Sequence, residues 1–223
     1  MNMQYLLNLA TASGGTLYLM ALLLLIALVV ILERGWFLYR VMAGGRAVNE
    51  RIAGLPRQRG DLLQQEFEQA GHLPHAALLE VALTHPEIND RDVLADRLEE
   101  SIMHEIPKLD RALWMLDTAV TLAPLLGLFG TIIGMFNTFA GLGQGGAVPS
   151  QVTGGIAEAL IATASGLFIA MIGLVFLNSL NNRIRQLVHQ LETLKQMLIN
   201  RYTHTGIDVH AHHATISLAR TGS

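Results

Sequence analysis

The chain contains no cysteine. Disulfide bonds and thiol chemistry are therefore excluded. It is also poor in charge. Asp, Glu, Lys and Arg make up 15% of its 223 residues, against about 25% in soluble domains. A net charge of −3 gives no argument for a polyanionic partner, so no nucleic acid is expected. The constellations of enzymes are missing too. There is no nucleophile–base pairing, no metal motif and no phosphate-binding loop. The glycine-rich stretch from Gly141 to Gly146 lacks the Lys and Ser/Thr that would follow in such a loop. Neither an enzymatic activity nor a cofactor is expected.

Long uncharged runs fill the space that charge leaves. Residues from Thr11 to Leu32, from Thr118 to Ala157 and from Ala159 to Asn182 carry no charged side chain. About 20 apolar residues cross a bilayer as a helix. The middle run is too long for one crossing, and Gly141 to Pro149 interrupts it. The fold class expected is an all-α integral membrane protein with three transmembrane helices, at 14–36, 117–140 and 156–179. The last two form a hairpin around a short turn at 141–155.

Orientation follows from the basic residues. Segment 1–13 and the turn contain none. Ten of the fifteen lie between the first and second spans, counting Arg34 at the edge, and five lie in the C-terminal part. The positive-inside rule then puts the N-terminus and the turn outside. Residues 37–116 and 180–223 go to the cytoplasm. The first span lacks a basic n-region and its positive charges follow it, which reads as a retained anchor rather than a cleaved leader. Trp36, Phe37 and Tyr39 with Arg34 and Arg40 form an interfacial belt against membrane lipids.

In the cytoplasmic segment, Gly44, Gly45, Gly54, Pro56, Gly60, Gly71, Pro74 and Pro86 punctuate short helical pieces. Asp61 to Glu68 reads as a short amphipathic helix. From Asp90 on, Leu94, Leu98, Ile102, Ile106, Leu109 and Leu113 recur at helical spacing. This helix is expected to run unbroken into the second span, bent at Pro107. Beyond the third span, Ile184, Leu187, Leu191, Leu194 and Leu198 form a stripe like that of a coiled coil. Spans 2 and 3 thus extend into the cytoplasm as long helices and pack on each other. His204, His210, His212 and His213 cluster near the end. That spacing suits weak transition-metal binding, but a short polar terminal cluster reads first as a disordered tail.

Within the second span, Gly127, Thr131, Gly134 and Thr138 share one face, with Gly130 beside them. Small residues at such spacing let helices approach closely. Gly155 and Gly166 flank the matching face of the third span. Thr131 is equally readable as a packing residue and as the lining of a polar path. Glu158 stands out most. A charged group at the centre of a span costs about 3 kcal/mol. Intramembrane ionisable groups are functional candidates by default, although a hydrated, idle carboxylate near the outer end of a span would look the same. Thr163 lies about 140° round the helix from Glu158, so a path touching both must pass between helices.

The runs 125–139 (LLGLFGTIIGMFNTF) and 155–168 (GIAEALIATASGLF) resemble the MotA/TolQ/ExbB proton-channel family. The resemblance covers roughly residues 90–200. Three spans rather than four make the chain most like the ExbB and TolQ branches, and ExbB before TolQ. The resemblance implies a homo-oligomer, a pentamer, around the helices of an ExbD-like or TolR-like single-span subunit bearing an intramembrane Asp. It implies that proton flow moves one against the other, and that the work passes to a TonB-like or TolA-like protein. The location implied is the bacterial inner membrane. Glu158 matches the family's membrane carboxylate, and Thr131 and Thr163 match hydroxyls near the proton path. Ser165 stands where many relatives have an apolar residue and receives no role. The competing expectations are a TolQ-like subunit of envelope maintenance and a passive membrane scaffold.

Overall fold

The computed structural model describes residues 15–55, 60–84, 90–143 and 149–220. Among them there is no strand. Six helices follow in order: α1 (Thr16–Gly54), α2 (Gly60–Ala70), α3 (Pro74–Thr84), α4 (Arg91–Asp110), α5 (Leu113–Gly143) and α6 (Pro149–Arg220). Three of them, α1, α5 and α6, are long and apolar enough to cross a membrane. The chain divides into two compact units. One comprises Met1–Trp36 and Arg111–Asn181, the other Phe37–Asp110 and Asn182–Ser223.

In the first unit, α1, α5 and α6 contribute their most apolar stretches. Little of that surface is buried: 22%, 22% and 28% of the three most hydropathic windows. Leu32, Phe136, Phe168 and Val175 are each 60% or more exposed. Such an exterior is stable only against lipid or against other apolar helices. Small residues form a large share of what is buried. Ala27, Ala119, Ala123, Ala159 and Ala162 line the interior beside larger side chains such as Met20, Leu116, Ile169 and Leu177.

The second unit is built like a soluble helical domain. Val48, Ile52, Leu63, Leu78, Leu79, Leu94, Leu98, Ile102, Leu191, Leu194 and Leu198 belong to one apolar core drawn from α1, α2, α3, α4 and α6. The leucine stripes of α4 and α6 meet there. Polar groups tie its edges. Asp90 caps α4 by accepting the Asp92 N–H at 3.0 Å. The Arg201 guanidinium donates to the carbonyls of Ile52 and Leu55 at the end of α1, where helical carbonyls otherwise lack partners. Arg51 pairs at 2.7 Å with the largely buried Glu66, and Lys195 pairs with Glu99. Asn49 donates to the Gln190 carbonyl at 3.0 Å.

Three expectations are corrected. Gly44 and Gly45 do not end a helical piece, because α1 runs through them to Gly54. Their lack of a side chain serves close approach instead. A Cβ at Gly44 would lie 2.9 Å from Leu73 Cδ1. One at Gly45 would collide with the His75 ring, 2.6 Å from Nε2, and lie 2.9 Å from Gln190 Oε1. The rod expected through 90–140 is also two helices. Arg111 and Ala112 separate α4 from α5, and Ala112 adopts a φ of 65°. A left-handed alanine costs about 1 kcal/mol, and neither glycine nor proline marks the spot. Pro107 lies inside α4 without ending it. Finally, α6 begins at Pro149 and continues to Arg220, so the segment read as a disordered tail is helical. The side chains of His204, His210, His212 and His213 lie outside the described residues, as do residues 1–14, the His85–Pro86 step and residues 144–148 of the turn.

His75 is fully buried. Burial pushes its imidazole down to about 4, because a charged ring is costly away from water. It is therefore neutral at physiological pH.

Candidate functional site

The site is built on the seam between α5 and α6. On α5 the seam is Val120, Ala123, Gly127, Gly130, Gly134 and Thr138. On α6 it is Gly155, Ala159, Ala162, Thr163, Gly166 and Gly173. A Cβ at Gly127 would lie 3.0 Å from the Ala162 carbonyl and 3.0 Å from Thr163 Cα. One at Gly134 would lie 2.9 Å from Ala159 Cβ. At Gly155 it would collide with the Thr138 hydroxyl, and at Gly166 with the Ala123 carbonyl. Gly130 faces both Ala162 and Thr16 of α1, whose hydroxyl would lie 2.7 Å from a Cβ there. Three helices therefore meet at Gly130. Thr16 is 2% exposed, and nothing in the pattern around it announces this role.

This seam determines where the polar groups go. Ala159 is locked against Gly134, so Glu158, one residue earlier, is turned about 100° away along the helix surface. It is half-buried and, among the described residues, makes no hydrogen bond or ion pair. The two threonines do not bond to it. Thr131 donates to the carbonyl of Leu128 at 2.6 Å, within its own helix. Thr163 donates across the seam to the carbonyl of Gly127 at 3.0 Å. That bond is possible because Gly127 has no side chain to hold the helices apart. Thr138 donates to the Gly134 carbonyl at 2.8 Å. The structure thus brings Thr163 to Gly127, Gly134 to Ala159 and Gly166 to Ala123. Glu158 stands on the flank of the seam, a carboxyl held in register by its neighbours and open on its other side. Such a group can take up and release a proton without first breaking a bond to the protein.

The matching family model covers residues 69–193 and describes the MotA/TolQ/ExbB proton channel family. The chain belongs to that family. Among its relatives, the ExbB-like 1 biopolymer transport protein of Synechocystis sp. is 33% identical over 73% of this chain and 65% of its own length. The Tol-Pal system protein TolQ of Pseudomonas aeruginosa is 37% identical over 52% of each chain. The biopolymer transport protein ExbB of Neisseria meningitidis is 26% identical over 81% of this chain and 87% of its own. The chain therefore spans about two thirds, half and most of these relatives respectively. It is a membrane protein of a proton-channel family, not of an enzyme family, and both ExbB and TolQ proteins are among its relatives. The MotA/TolQ/ExbB match includes α5, the first part of α6 and hence the whole seam. Among the described residues no cluster of His, Asp or Glu could hold a metal ion.

Proposed function

We propose that this chain is the channel-forming subunit of a proton-driven motor in the bacterial inner membrane. Its role is ExbB-like: it uses the proton gradient to energise TonB-dependent transport across the outer membrane. Glu158 takes up and releases the proton, and Thr131 and Thr163 border the path. Gly127, Gly130, Gly134, Gly155 and Gly166 hold the two helices in register. The observation that carries the reading is Glu158 itself, a half-buried carboxyl in the candidate span of α6 that engages no partner among the described residues.

The mechanism follows from charge. An ionised Glu158 requires water or a positive partner, while a protonated one tolerates apolar neighbours. Each titration therefore changes which packing around α6 is favoured, and an oligomer with two packings is biased between them. One proton crossing the membrane supplies about 2.3 kcal/mol per 100 mV, enough to drive such a bias in one direction. Three spans with so much exposed apolar surface cannot enclose a shielded path alone. The reading therefore includes a homo-oligomer, a pentamer, surrounding an ExbD-like or TolR-like single-span subunit. A TonB-like or TolA-like protein receives the work.

The test is isolation of the chain from native membranes with whatever small subunit co-elutes. Proton uptake is then followed in vesicles of that complex under a potassium diffusion potential. Glu158→Gln keeps size and hydrogen bonding but removes the titratable group. It is expected to assemble normally and to lose proton uptake. Wild-type uptake by Glu158→Gln would leave the carboxyl a packing group and the chain a scaffold. A second reading, TolQ-like envelope maintenance, is favoured by the identity to TolQ. The identity of the co-eluting subunit separates the two.

A further inference from the structure

We propose that Ser165 is a further positioning residue of the proton path, holding the water that serves Glu158 from the cytoplasmic side. The proposal rests on the reading of Glu158 given above and extends it to a residue with no assigned role.

The argument starts from where hydroxyls point. In a helix, a Ser or Thr hydroxyl commonly bonds a carbonyl three or four residues back. Thr118, Thr121, Thr131 and Thr138 of α5 all do so. Thr163 is also engaged, across the seam with Gly127. It is thus committed to holding α5 and α6 together. Ser165 is half-buried and, among the described residues, engages no protein group.

Position supplies the second part. Ser165 follows Glu158 by seven residues, so the two lie within about 20° on the helix surface and about 10 Å apart along its axis. The same row continues through Ile172 to Ser179, both exposed on the isolated chain. It lies to one side of the seam residues Ala162, Gly166 and Gly173. Thr163 lies on the opposite flank. A row that holds a carboxyl and the hydroxyls of Ser165 and Ser179, none of them engaged among the described residues, does not suit hydrocarbon. It suits water or a partner helix bearing polar groups.

The step needs no new chemistry. Protonated Glu158 gives its proton to an adjoining water. A water hydrogen-bonded to Ser165 passes a proton to Oγ as the hydroxyl proton leaves to the next water, so that one proton has moved, Glu158 is left as the carboxylate and Ser165 is again a neutral hydroxyl. Two or three waters are about what a gap of 10 Å holds at ordinary hydrogen-bond distances. Thr163 cannot replace Ser165 here without releasing Gly127.

Since the chain has no cysteine, single thiols can be introduced without background. In native membranes, Ser165→Cys is expected to react with a small, charged, water-soluble thiol reagent. Ala162→Cys, in the seam, and Phe168→Cys, on the apolar exterior, are expected to stay unreacted. Glu50→Cys, on an exposed face of α1, serves as the reactive control. An unreactive Ser165→Cys beside a reactive control overturns the proposal. In the proton-uptake assay, Ser165→Ala is expected to slow uptake about tenfold, the loss of roughly one hydrogen bond to a charged species. Ser165→Thr, which restores a hydroxyl, is expected to recover most of the rate. Wild-type uptake by Ser165→Ala, or equal losses with Ala and Thr, also overturns it. The two readings fail separately. Unchanged uptake by Glu158→Gln removes the motor, whereas the labelling alone still decides whether the row is wet.

Discussion

One helix, α6, passes through two kinds of interior. In the first unit it offers Ala159, Ala162, Gly166 and Gly173 to its neighbour. In the second it offers Leu191, Leu194 and Leu198. The difference follows from the solvent. In water, burying a leucine is favourable in itself, by about 2 kcal/mol, so the core of the second unit is made of large side chains. In lipid there is no such drive between helices, and association relies on close backbone contact and interhelical hydrogen bonds. Small residues are then the adhesive, and a hydroxyl such as that of Thr163 can reach the opposing backbone. A membrane seam of this kind also leaves the helix flanks for function, because it needs so little of the helix surface.

The comparison can be broken most severely at Gly166. Its missing Cβ would meet the backbone of Ala123 and Gly127, which cannot rotate away. Gly166→Val is expected to cost about 3 kcal/mol or more and to abolish the assembled form on size exclusion in detergent. Gly173→Ala is expected to be mild, since it would meet only a methyl of Val120, 2.6 Å away.

Leu194→Ala tests the other interior. Leu194 is fully buried, and its truncation is expected to cost about 4 kcal/mol in denaturant unfolding of the second unit. Leu174→Ala, on the same helix but 48% exposed, is expected to change stability little.

Acid distinguishes the two units next. His75 titrates at 6.5 when unfolded and at about 4 when buried. Between those values the unfolded chain binds more protons, so stability is complete above about pH 6.5 and falls as pH drops towards 4. The slope is about 1.4 kcal/mol per pH unit, or about 3 kcal/mol in all. Thermal unfolding of the second unit followed across this range measures it, and His75→Gln is expected to flatten the dependence. The smallest effect expected is that of Thr163→Val, which removes the bond to Gly127. About 0.6 kcal/mol, the average for interhelical hydrogen bonds in membranes, is expected in a stability assay in detergent.

Hydropathy was sufficient to find three spans, because twenty uncharged residues in a row leave the backbone few other ways to satisfy itself. Spacing was sufficient to find the glycine face of α5, since four residues at intervals of four, three and four share one side of any α-helix. The core leucines of α4 and α6 were legible for the same reason. Less was visible where a residue's role depends on what stands opposite. Gly44 and Gly45 look like a break from one side only; with Leu73 and His75 opposite, they are contacts inside a helix. Ala112 carries no sign of its left-handed turn. Thr163 and Ser165 look alike as intramembrane hydroxyls. Only the approach of Gly127 separates them, by engaging one and leaving the other open.

The sequence alone therefore determined the helical class, the number of candidate spans and the presence of a carboxyl among them. These depend on local composition and helical period, which do not change with the arrangement of the chain. The tertiary structure decided which flank of α6 that carboxyl occupies, which hydroxyls are already bound and which glycines are contacts. Those properties depend on pairs of residues such as Gly127 and Thr163, whose distance is not written in either residue and is set only when two helices pack.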